Sequence, residues 1–319
     1  MKRRAFLGTA AASSTAASLL YGCSTATSDP VVSADAAANG EAAQPKVEWR
    51  LAASWPEALD VLYGSAKQLC QRVGELTNGQ FEITPHAAGE LVGGLEVLDA
   101  VQNGAVQCGH TASYYYTGKA QALAFGTAVP FGLMADQQNA WLYYGGGLDL
   151  LRSLYADFGM INFPAGNTGA QMGGWFKRPV TSLADLGGLK MRIPGLGGKI
   201  MQKLGVNVQV IPGGEVYLAL ERGVVDAAEW VGPYDDERLG LHQTAKYYYY
   251  PGWWEPSATL DALVNQTEWA KLPPNYQAAF ATAAYETNLT TLAQYNALNG
   301  EALNRLQAEG VELIAYSDD

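Results

Sequence analysis

Apolar and polar residues alternate along the chain in a way that predicts strands and helices in turn from residue 47 onward. Val47–Ala52 alternates as a half-buried strand does, and residues 57–76 place apolar side chains three or four positions apart, as an amphipathic helix does. The Asn78-Gly79 turn then precedes another strand, and this order of elements continues to about residue 110. Short breaks between such elements are typical of an α/β lobe in which helices cover a sheet.

The same order of elements repeats from about residue 160 and predicts a second lobe. Its strand-like segments are Met160–Phe163, Ala170–Phe176, Leu189–Ile193, Val206–Ile211 and Ala227–Val231. After residue 265 the pattern becomes helical. We predict lobe I over residues 47–165, lobe II over 166–262, and a long C-terminal helical segment over 263–319 that crosses both lobes. Ligands of open α/β sheets bind beyond the carboxyl ends of the strands, so we expect a ligand cleft between the lobes.

Residues 1–22 predict an export signal. Arg3 and Arg4 precede Phe6-Leu7, as in a twin-arginine signal, and the apolar run that follows is too short for a membrane-spanning helix. An ordinary secretory signal is the alternative, and either route takes the chain out of the cytoplasm. Leu20–Cys23 resembles a bacterial lipobox, so we expect cleavage before Cys23 and a lipid on its thiol. Residues 23–46 are small and polar, which predicts a flexible tether to a membrane.

The charge of the chain excludes one class of partner and raises a question about another. The formal net charge is -11, and removal of the three basic residues within positions 1–22 leaves -14. A surface this acidic repels phosphate groups, so nucleic acid and anionic lipid are not expected partners. An anionic ligand would need a local positive charge to bind.

Sequence motifs for catalysis are missing, and we predict that the protein is not an enzyme. The chain contains no Cys-x-x-Cys, His-Glu-x-x-His or Gly-x-Ser-x-Gly, and its three histidines are expected to be structural. Asp235-Asp236-Glu237 follows Pro233; three successive side chains rarely converge, so we predict a solvated helix start rather than a metal site. Cys70 and Cys108 are expected to be buried free thiols, with a disulfide as the alternative.

Aromatic residues are concentrated in Tyr114–Tyr116, Tyr247–Tyr250 and Trp253-Trp254, at the expected ends of strands and in loops. Aromatic side chains form cores by default, but at these positions they would also line a cleft. A sugar receptor of an ATP-driven importer would use similar walls, so this alternative stays open. A glycoside hydrolase with two catalytic carboxylates is a further and weaker alternative.

Five longer strings closely resemble one known family. They are Gly109–Tyr116, Pro164–Phe176, Leu189–Ile193, Asp226–Asp236 and Tyr247–Glu255. Over residues 47–319 the chain resembles the solute receptors of tripartite ATP-independent periplasmic (TRAP) transporters, in the branch that binds 2-oxo acids and lactate. The resemblance implies a two-lobed periplasmic-binding-protein fold that closes over its ligand. It also implies delivery of a small 2-oxo or 2-hydroxy monocarboxylate, of the pyruvate, 2-oxobutyrate or lactate type, to a membrane permease.

The resemblance also implies roles for individual residues. Arg192 corresponds to the arginine that grips the ligand carboxylate, for which a planar guanidinium is well suited. Tyr115 and Asn167 correspond to ligand contacts, and on an extended segment Asn167 would share a face with Gln171. A cation bound together with the ligand would be held by Gln171, Glu229, the backbone carbonyl of Trp230, and Glu255.

Oxygen donors of this kind suit Na⁺ or Ca²⁺ and would not select Zn²⁺ or copper. With Arg192, the cation would form an anion site inside an acidic protein. Two glutamates and a ligand carboxylate carry three negative charges, and Arg192 balances one of them. A divalent ion would balance the other two, which slightly favours Ca²⁺, but the identity of the ion stays open.

Members of this branch continue beyond the position of Asp319 into further helical sequence. We therefore expect a truncated C-terminal element, and a homodimer stays open.

Overall fold

The structure, a computed structural model, describes residues 44–317. The predicted export signal, Cys23 and most of the predicted tether lie outside the described residues. Within residues 44–317, no helix combines the length and the apolar character needed to cross a membrane.

Strands and helices alternate through most of the described chain, as the sequence predicts. The strands are β1 (Val47–Ala53), β2 (Phe81–His86), β3 (Cys108–Thr111), β4 (Met160–Asn167), β5 (Gly174–Phe176), β6 (Lys190–Arg192), β7 (Asn207–Gln209), β8 (Ala227–Ala228), β9 (Tyr247–Tyr250), β10 (Thr259–Asn265) and β11 (Glu312–Ala315). The helices are α1 (Leu62–Leu76), α2 (Val97–Gln102), α3 (Ala124–Thr127), α4 (Ala135–Tyr144), α5 (Gly147–Ala156), α6 (Gly195–Lys203), α7 (Gly213–Glu221), α8 (Pro233–Arg238), α9 (Gln266–Lys271) and α10 (Pro274–Ala308).

Two mixed sheets form the cores of two lobes. The sheet of the first lobe has the strand order β2-β1-β3-β10-β4, in which β10 is antiparallel to both β3 and β4. The sheet of the second lobe has the order β11-β9-β5-β8-β6-β7, with β6 parallel to β7 and β8. The predicted two-lobed α/β fold is confirmed.

Strand pairing revises the lobe boundaries that we predict from sequence. Residues 259–262 fall within the predicted lobe II, yet β10 pairs with β3 and β4 in the first sheet. Residues 312–315 fall within the predicted helical segment, yet β11 pairs with β9 at the edge of the second sheet. β10 and β11 each pair with strands that are distant in sequence. The local periodicity of a segment does not show which strand it will pair with. The chain therefore crosses between the lobes more often than the predicted division into residues 47–165, 166–262 and 263–319 implies.

Helix α10 connects the two lobes, as predicted for the C-terminal helical element. Its 35 residues extend over about 52 Å at the usual helical rise. It packs against β4 and α1 of the first lobe and against α8 of the second. Phe280 and Tyr295, which lie four turns apart, are both fully buried. One helix thus contributes apolar surface to both lobes.

Cys70 and Cys108 are buried and unpaired, as we expect from their sequence context. Burial raises the pKa of each thiol far above the ordinary value for cysteine. Both side chains therefore stay neutral and serve as small apolar residues of the first lobe.

Candidate ligand-binding site

Arg192 and Glu229 lie at the carboxyl ends of two adjacent parallel strands. Arg192 is the last residue of β6, and Glu229 follows the last residue of β8, with which Arg192 is paired. The backbone N–H of Glu229 donates to the carbonyl of Arg192 at 3.1 Å, which extends the ladder by one step. Parallel strands present their carboxyl ends at one edge of the sheet, so both side chains start from the same edge.

The side chains of Arg192 and Glu229 form a fully buried ion pair. Nη1 of Arg192 donates to Oε1 of Glu229 and, at 2.8 Å, to the Glu229 carbonyl, while Nε donates to the carbonyl of Ile211 at 3.1 Å. The ring of Trp230 lies against the guanidinium, with its centroid 4.9 Å from Cζ. Nη2 of Arg192 and Oε2 of Glu229 are buried without a hydrogen-bond partner. Buried polar atoms normally have partners, so these two atoms are candidates for contact with a ligand.

Gly174 makes room for Glu229 beside β5. Its φ of +107° is a conformation that other residues rarely adopt. A Cβ at this position would lie 3.0 Å from the Ala228 carbonyl and 3.2 Å from the Cβ of Glu229. A larger residue would therefore push the Glu229 backbone away from the second sheet.

Gln171 and Glu255 supply further oxygen atoms from two other segments. Nε2 of Gln171 donates to Glu255 Oε1 at 3.2 Å and to Thr168 Oγ1 at 2.9 Å, while Oε1 of Gln171 is buried without a partner. The backbone N–H of Gly252 donates to the Gln171 carbonyl at 3.1 Å and joins the two segments. Burial, and next the charge of Glu229, raise the pKa of Glu255 well above its ordinary value. A cation beside these oxygens would remove that electrostatic cost.

A small pocket lies next to this cluster. Its polar side chains are Tyr114, Tyr115, Thr168, Gln171 and Glu255. Its apolar side chains are Trp55, Leu62, Trp230, Val231, Ala258 and Leu260. The pocket is small beside the sites of drug-sized ligands, so it suits a ligand of few heavy atoms.

The three consecutive tyrosines have different surroundings. The hydroxyl of Tyr116 hydrogen-bonds Thr111 Oγ1 at 2.8 Å and accepts from the N–H of Leu98 at 3.2 Å, deep in the first lobe. Tyr114 and Tyr115 line the pocket, and their rings meet edge to face. Burial raises the pKa of Tyr115 to about 12 despite the opposing charge of Arg192, so its hydroxyl keeps the proton that it would donate to an anion.

Asn167 lies near the pocket but uses its side chain within the protein. Its Nδ2 donates to Thr259 Oγ1 at 3.2 Å, and its Oδ1 accepts from the N–H of Gly169 at 2.8 Å. The expectation that Asn167 and Gln171 share the face of one extended segment is wrong, because β4 ends at Asn167 and residues 168–173 are irregular. Thr168 lines the pocket beside Gln171 instead.

Trp55 is a pocket residue that the sequence analysis missed. Its indole N–H donates to Nδ1 of His110 at 2.7 Å, and Nε2 of His110 bonds the carbonyl of Ala165 at 2.9 Å. Burial lowers the pKa of His110 to about 4, so the ring is neutral and fixes the tryptophan, a structural role as predicted. The position of Trp55 just after β1 is the signal that could have identified it, since strand ends line clefts.

A polar contact on the protein surface joins the lobes beside the pocket. Asp60 lies on the segment between Trp55 and Leu62, both of which line the pocket. Its Oδ1 is 3.1 Å from Nε of Arg238, and its Oδ2 accepts from the hydroxyl of Tyr234 at 3.1 Å. Both partners belong to α8 of the second lobe, so this contact joins the two lobes.

A larger groove of about 1,290 Å³ lies elsewhere and is lined by both Trp253 and Trp254. We expect these tryptophans to form the wall of the pocket or to pack beneath it. Trp254 is buried, and its indole N–H has no hydrogen-bond partner. Trp253 stacks on Phe131, and neither tryptophan lines the small pocket.

The unpaired oxygens of the cluster fit a hard cation. Gln171 Oε1 and Glu229 Oε2 are buried and unpaired, and Glu255 is within hydrogen-bonding distance of Gln171. Carboxylate and amide oxygens are the donors that Na⁺ and Ca²⁺ prefer. Over residues 44–317, no three His, Cys, Asp or Glu side chains group into a metal site. A cation here would therefore need amide or backbone carbonyl oxygens besides the two carboxylates.

Two α/β lobes with a small pocket and a buried arginine beside it are typical of a ligand-binding protein. Residues 51–319 match the family described as bacterial extracellular solute-binding protein, family 7 (DctP), so the chain belongs to this family. The predicted TRAP receptor class and extracytoplasmic location are confirmed, as is the prediction that the protein is not an enzyme.

Particular relatives indicate which branch of the family is nearest. The chain is 60% identical to a monocarboxylate 2-oxoacid-binding periplasmic protein of Nostoc sp. (strain PCC 7120), over all of this chain and 85% of the relative. A TRAP solute-binding protein of Bordetella bronchiseptica, a dimer with calcium and picolinate at its site, is 51% identical with a TM-score of 0.85. The match covers 86% of this chain and 82% of that chain.

A solved TRAP solute-binding protein of Pseudoalteromonas atlantica contains bound sodium and pyruvate. It is 41% identical to this chain with a TM-score of 0.83, and the match covers 85% of this chain and 83% of that chain.

Proposed function

We propose that the protein is the extracytoplasmic receptor of a TRAP transporter and binds a small 2-oxo or 2-hydroxy monocarboxylate together with Na⁺ or Ca²⁺. The observation that carries this proposal is the group of unpaired buried atoms on Arg192, Glu229 and Gln171 beside a small pocket. One donor on the arginine and two oxygens on the other residues are complementary to an anion and a cation bound side by side. The relatives with pyruvate or picolinate and a cation support the same pairing.

Arg192 would hold the ligand carboxylate through Nη2. Its Nε and Nη1 are bound to Ile211 and Glu229, so the guanidinium is already fixed in direction before a ligand arrives. Preorganised donors lose little conformational entropy on binding. Tyr115 would donate its hydroxyl to the same carboxylate, and Asn167 remains a proposed contact that would have to exchange a hydrogen bond within the protein.

Gln171, Glu229, the carbonyl of Trp230, and Glu255 would hold the cation. The cation supplies positive charge that balances the carboxylates and attracts the oxygens of the acid. The apolar wall of Trp55, Leu62 and Leu260 would receive the alkyl end of the ligand and exclude water. The site thus offers charged groups to one end of a small acid and apolar contacts to the other.

Calorimetric titration of the purified protein with pyruvate, 2-oxobutyrate, lactate and a neutral sugar tests this function. Each titration is done in Na⁺, in Ca²⁺ and after chelation in a buffer free of both ions. We expect binding of the acids, loss of that binding without cation, and no binding of the sugar. Sugar binding would favour the ATP-driven importer class. Prolonged incubation with a glycoside, followed by measurement of released reducing sugar, distinguishes a receptor from a glycoside hydrolase, because only the hydrolase would cleave the glycosidic bond.

We also propose that the chain is exported by the twin-arginine route and carries a lipid on Cys23. The Arg3-Arg4 pair and the Leu20–Cys23 string support this, and a lipid would keep the receptor near its permease. Mass spectrometry of the mature N-terminus tests it, with Cys23→Ser as the variant that should lose the lipid and be released from membranes.

The dimer of the Bordetella relative supports a homodimer, which sedimentation velocity measures.

A further inference from the structure

Asp235 and Asp236, at the start of α8, are both buried, in contrast to the solvated helix start that the sequence predicts. Neither belongs to the proposed cation donors. Asp235 Oδ2 accepts from the hydroxyl of Tyr295 on α10 at 2.7 Å, which ties α8 to the crossing helix. Asp236 has a different set of partners, all of them within the second lobe. The two adjacent buried carboxylates therefore hold different parts of the structure.

The carboxylate of Asp236 is fixed in orientation by two aromatic donors. Its Oδ2 accepts from Nε1 of Trp175 at 2.9 Å and from the hydroxyl of Tyr248 at 2.6 Å. Trp175 and Tyr248 are opposite each other on β5 and β9, and their rings stack with centroids 3.9 Å apart. Because one oxygen is held by this stacked pair, the other oxygen has a defined direction.

That second oxygen holds the segment that carries two proposed cation donors. Oδ1 of Asp236 accepts from the backbone N–H of Val231 at 3.2 Å. The carbonyl of Val231 accepts in turn from the N–H of Met172 at 3.1 Å. Val231 directly follows Glu229 and Trp230, and Met172 directly follows Gln171. The backbone of Val231 thus joins the segment of Glu229 and Trp230 to the segment of Gln171.

We propose that Asp236 is a positioning residue that sets the spacing of the cation donors by holding Val231 in place. The inference rests on the proposed function, because the donors concerned are those assigned to the cation. Asp236 does not contact the cation or the acid in this arrangement; it acts through the backbone of residues 229–231. Removal of its bond to Val231 would let this segment move relative to Gln171.

An asparagine at position 236 cannot reproduce the carboxylate. Three N–H or O–H donors converge on its two oxygens, and an amide offers only one oxygen. With the amide oxygen toward Trp175 and Tyr248, the amide nitrogen would face the N–H of Val231, and two donors would meet. Asp236→Asn therefore keeps the aromatic contacts and releases the backbone segment.

The test compares Asp236→Asn with Asp235→Asn, which changes a buried carboxylate on the same helical turn. Melting of the ligand-free variants measures stability, and calorimetry with pyruvate in Ca²⁺ and in Na⁺ measures binding. We expect both variants to melt at lower temperature. We expect only Asp236→Asn to lose pyruvate affinity, by about 10- to 100-fold as for loss of a hydrogen bond to a charged group, and to change the ratio of the affinities in the two ions.

The outcomes separate the two proposals. A wild-type protein that binds no acid in either ion overturns the proposed function. A wild-type protein that binds while Asp236→Asn and Asp235→Asn bind equally well overturns the positioning role alone.

If Asp236→Asn does not fold, a milder pair takes its place. Tyr248→Phe removes one hydrogen bond from Asp236, and Tyr295→Phe removes the corresponding bond from Asp235. We expect about 3- to 10-fold weaker pyruvate binding for Tyr248→Phe, because Trp175 still holds the same oxygen of Asp236, and wild-type binding for Tyr295→Phe. Equal affinities in this pair also overturn the positioning role.

Discussion

Two buried carboxylates, one in each lobe, have their hydrogen bonds satisfied to different degrees. In the first lobe, Asp261 on β10 accepts from Nδ2 of Asn162 at 3.0 Å and from the hydroxyl of Tyr155 at 3.3 Å, so both of its oxygens are used. In the second lobe, Glu229 is paired with Arg192, yet one oxygen of the acid and one nitrogen of the base remain unpaired.

The difference shows how a structural carboxylate and a binding carboxylate can be distinguished. A buried acid that only supports the fold has most of its hydrogen-bonding capacity filled by neighbours, as in Asp261, although Asp235 also has one oxygen, Oδ1, without a partner. An acid that binds a ligand has an oxygen that no neighbour within the protein satisfies. The predictions below test this distinction, from the largest expected effect to the smallest.

Arg192→Lys should have the largest effect on binding. The planar guanidinium of Arg192 bonds Ile211 and Glu229 and would bond the ligand at the same time, which the ammonium of lysine cannot do. We therefore expect the affinity for the acid to fall by at least about 100-fold. Calorimetry with pyruvate measures this. The matched control is Arg305→Lys, which alters a surface arginine paired with Glu237 and should bind normally. Unchanged affinity in Arg192→Lys would remove Arg192 from the site.

Glu229→Gln and Asp261→Asn test the comparison directly, since each neutralises one buried carboxylate. We expect Glu229→Gln to weaken cation and acid binding together, by about 10- to 100-fold, because a charged donor to the cation is lost. We expect Asp261→Asn to lower the melting temperature and to leave affinity within about 2-fold of wild type. Titrations in Ca²⁺ and Na⁺ measure both. Equal losses of affinity would mean that unpaired atoms do not mark the binding carboxylate.

Stability should depend on pH through buried acids that lie away from the cation donors. Burial raises the pKa of Asp235 and of Asp261 to about 7. The unfolded value is about 3.9, so the folded state holds more protons between these values, and stability is lost as pH rises through about 7. We expect the ligand-free melting temperature to fall from about pH 5 to about pH 8.

The double variant Asp235→Asn with Asp261→Asn serves as the control for this pH dependence. It removes both titrating groups, so the slope of melting temperature against pH should become smaller. A wild-type melting temperature that rises with pH over the same range would contradict the expected direction.

Asp60→Asn should have the smallest effect. The contact of Asp60 with Arg238 and Tyr234 is partly exposed, and exposed ion pairs contribute little. We expect pyruvate binding to weaken by about 2- to 5-fold through less stable closure, and the difference from wild type to shrink in high salt. Stopped-flow dissociation rates with and without added salt measure it. Glu301→Gln, an exposed acid on α10, is the control and should show no change.

Much of the candidate site could be predicted from sequence because its residues occupy characteristic strings. Arg192, Gln171, Glu229 and Glu255 come from four segments that the structure brings together beside one pocket. The exact contacts could not be predicted in the same way. Asn167 corresponds to a ligand contact by position, yet its side chain is bonded to Thr259 and Gly169 in this structure.

The residues that sequence reasoning missed act through other residues. Trp55 is fixed by His110, and Asp236 is fixed by Trp175 and Tyr248. Their partners lie 55, 61 and 12 positions away, respectively. A run of three acidic residues looks solvated when only its neighbours in sequence are considered, because burial depends on what packs over it.

The sequence by itself determined the order of strands and helices, the long crossing helix, the family, and the need for a positive charge in an acidic protein. These properties depend on periodicity, composition and recognisable strings, which are local to the chain. Tertiary structure alone decided that β10 belongs to the first sheet, that Asp235 and Asp236 are buried, and that Gln171 meets Glu255 across 84 residues. Strand pairing and side-chain burial are cooperative properties of distant segments, and no single segment encodes its partner.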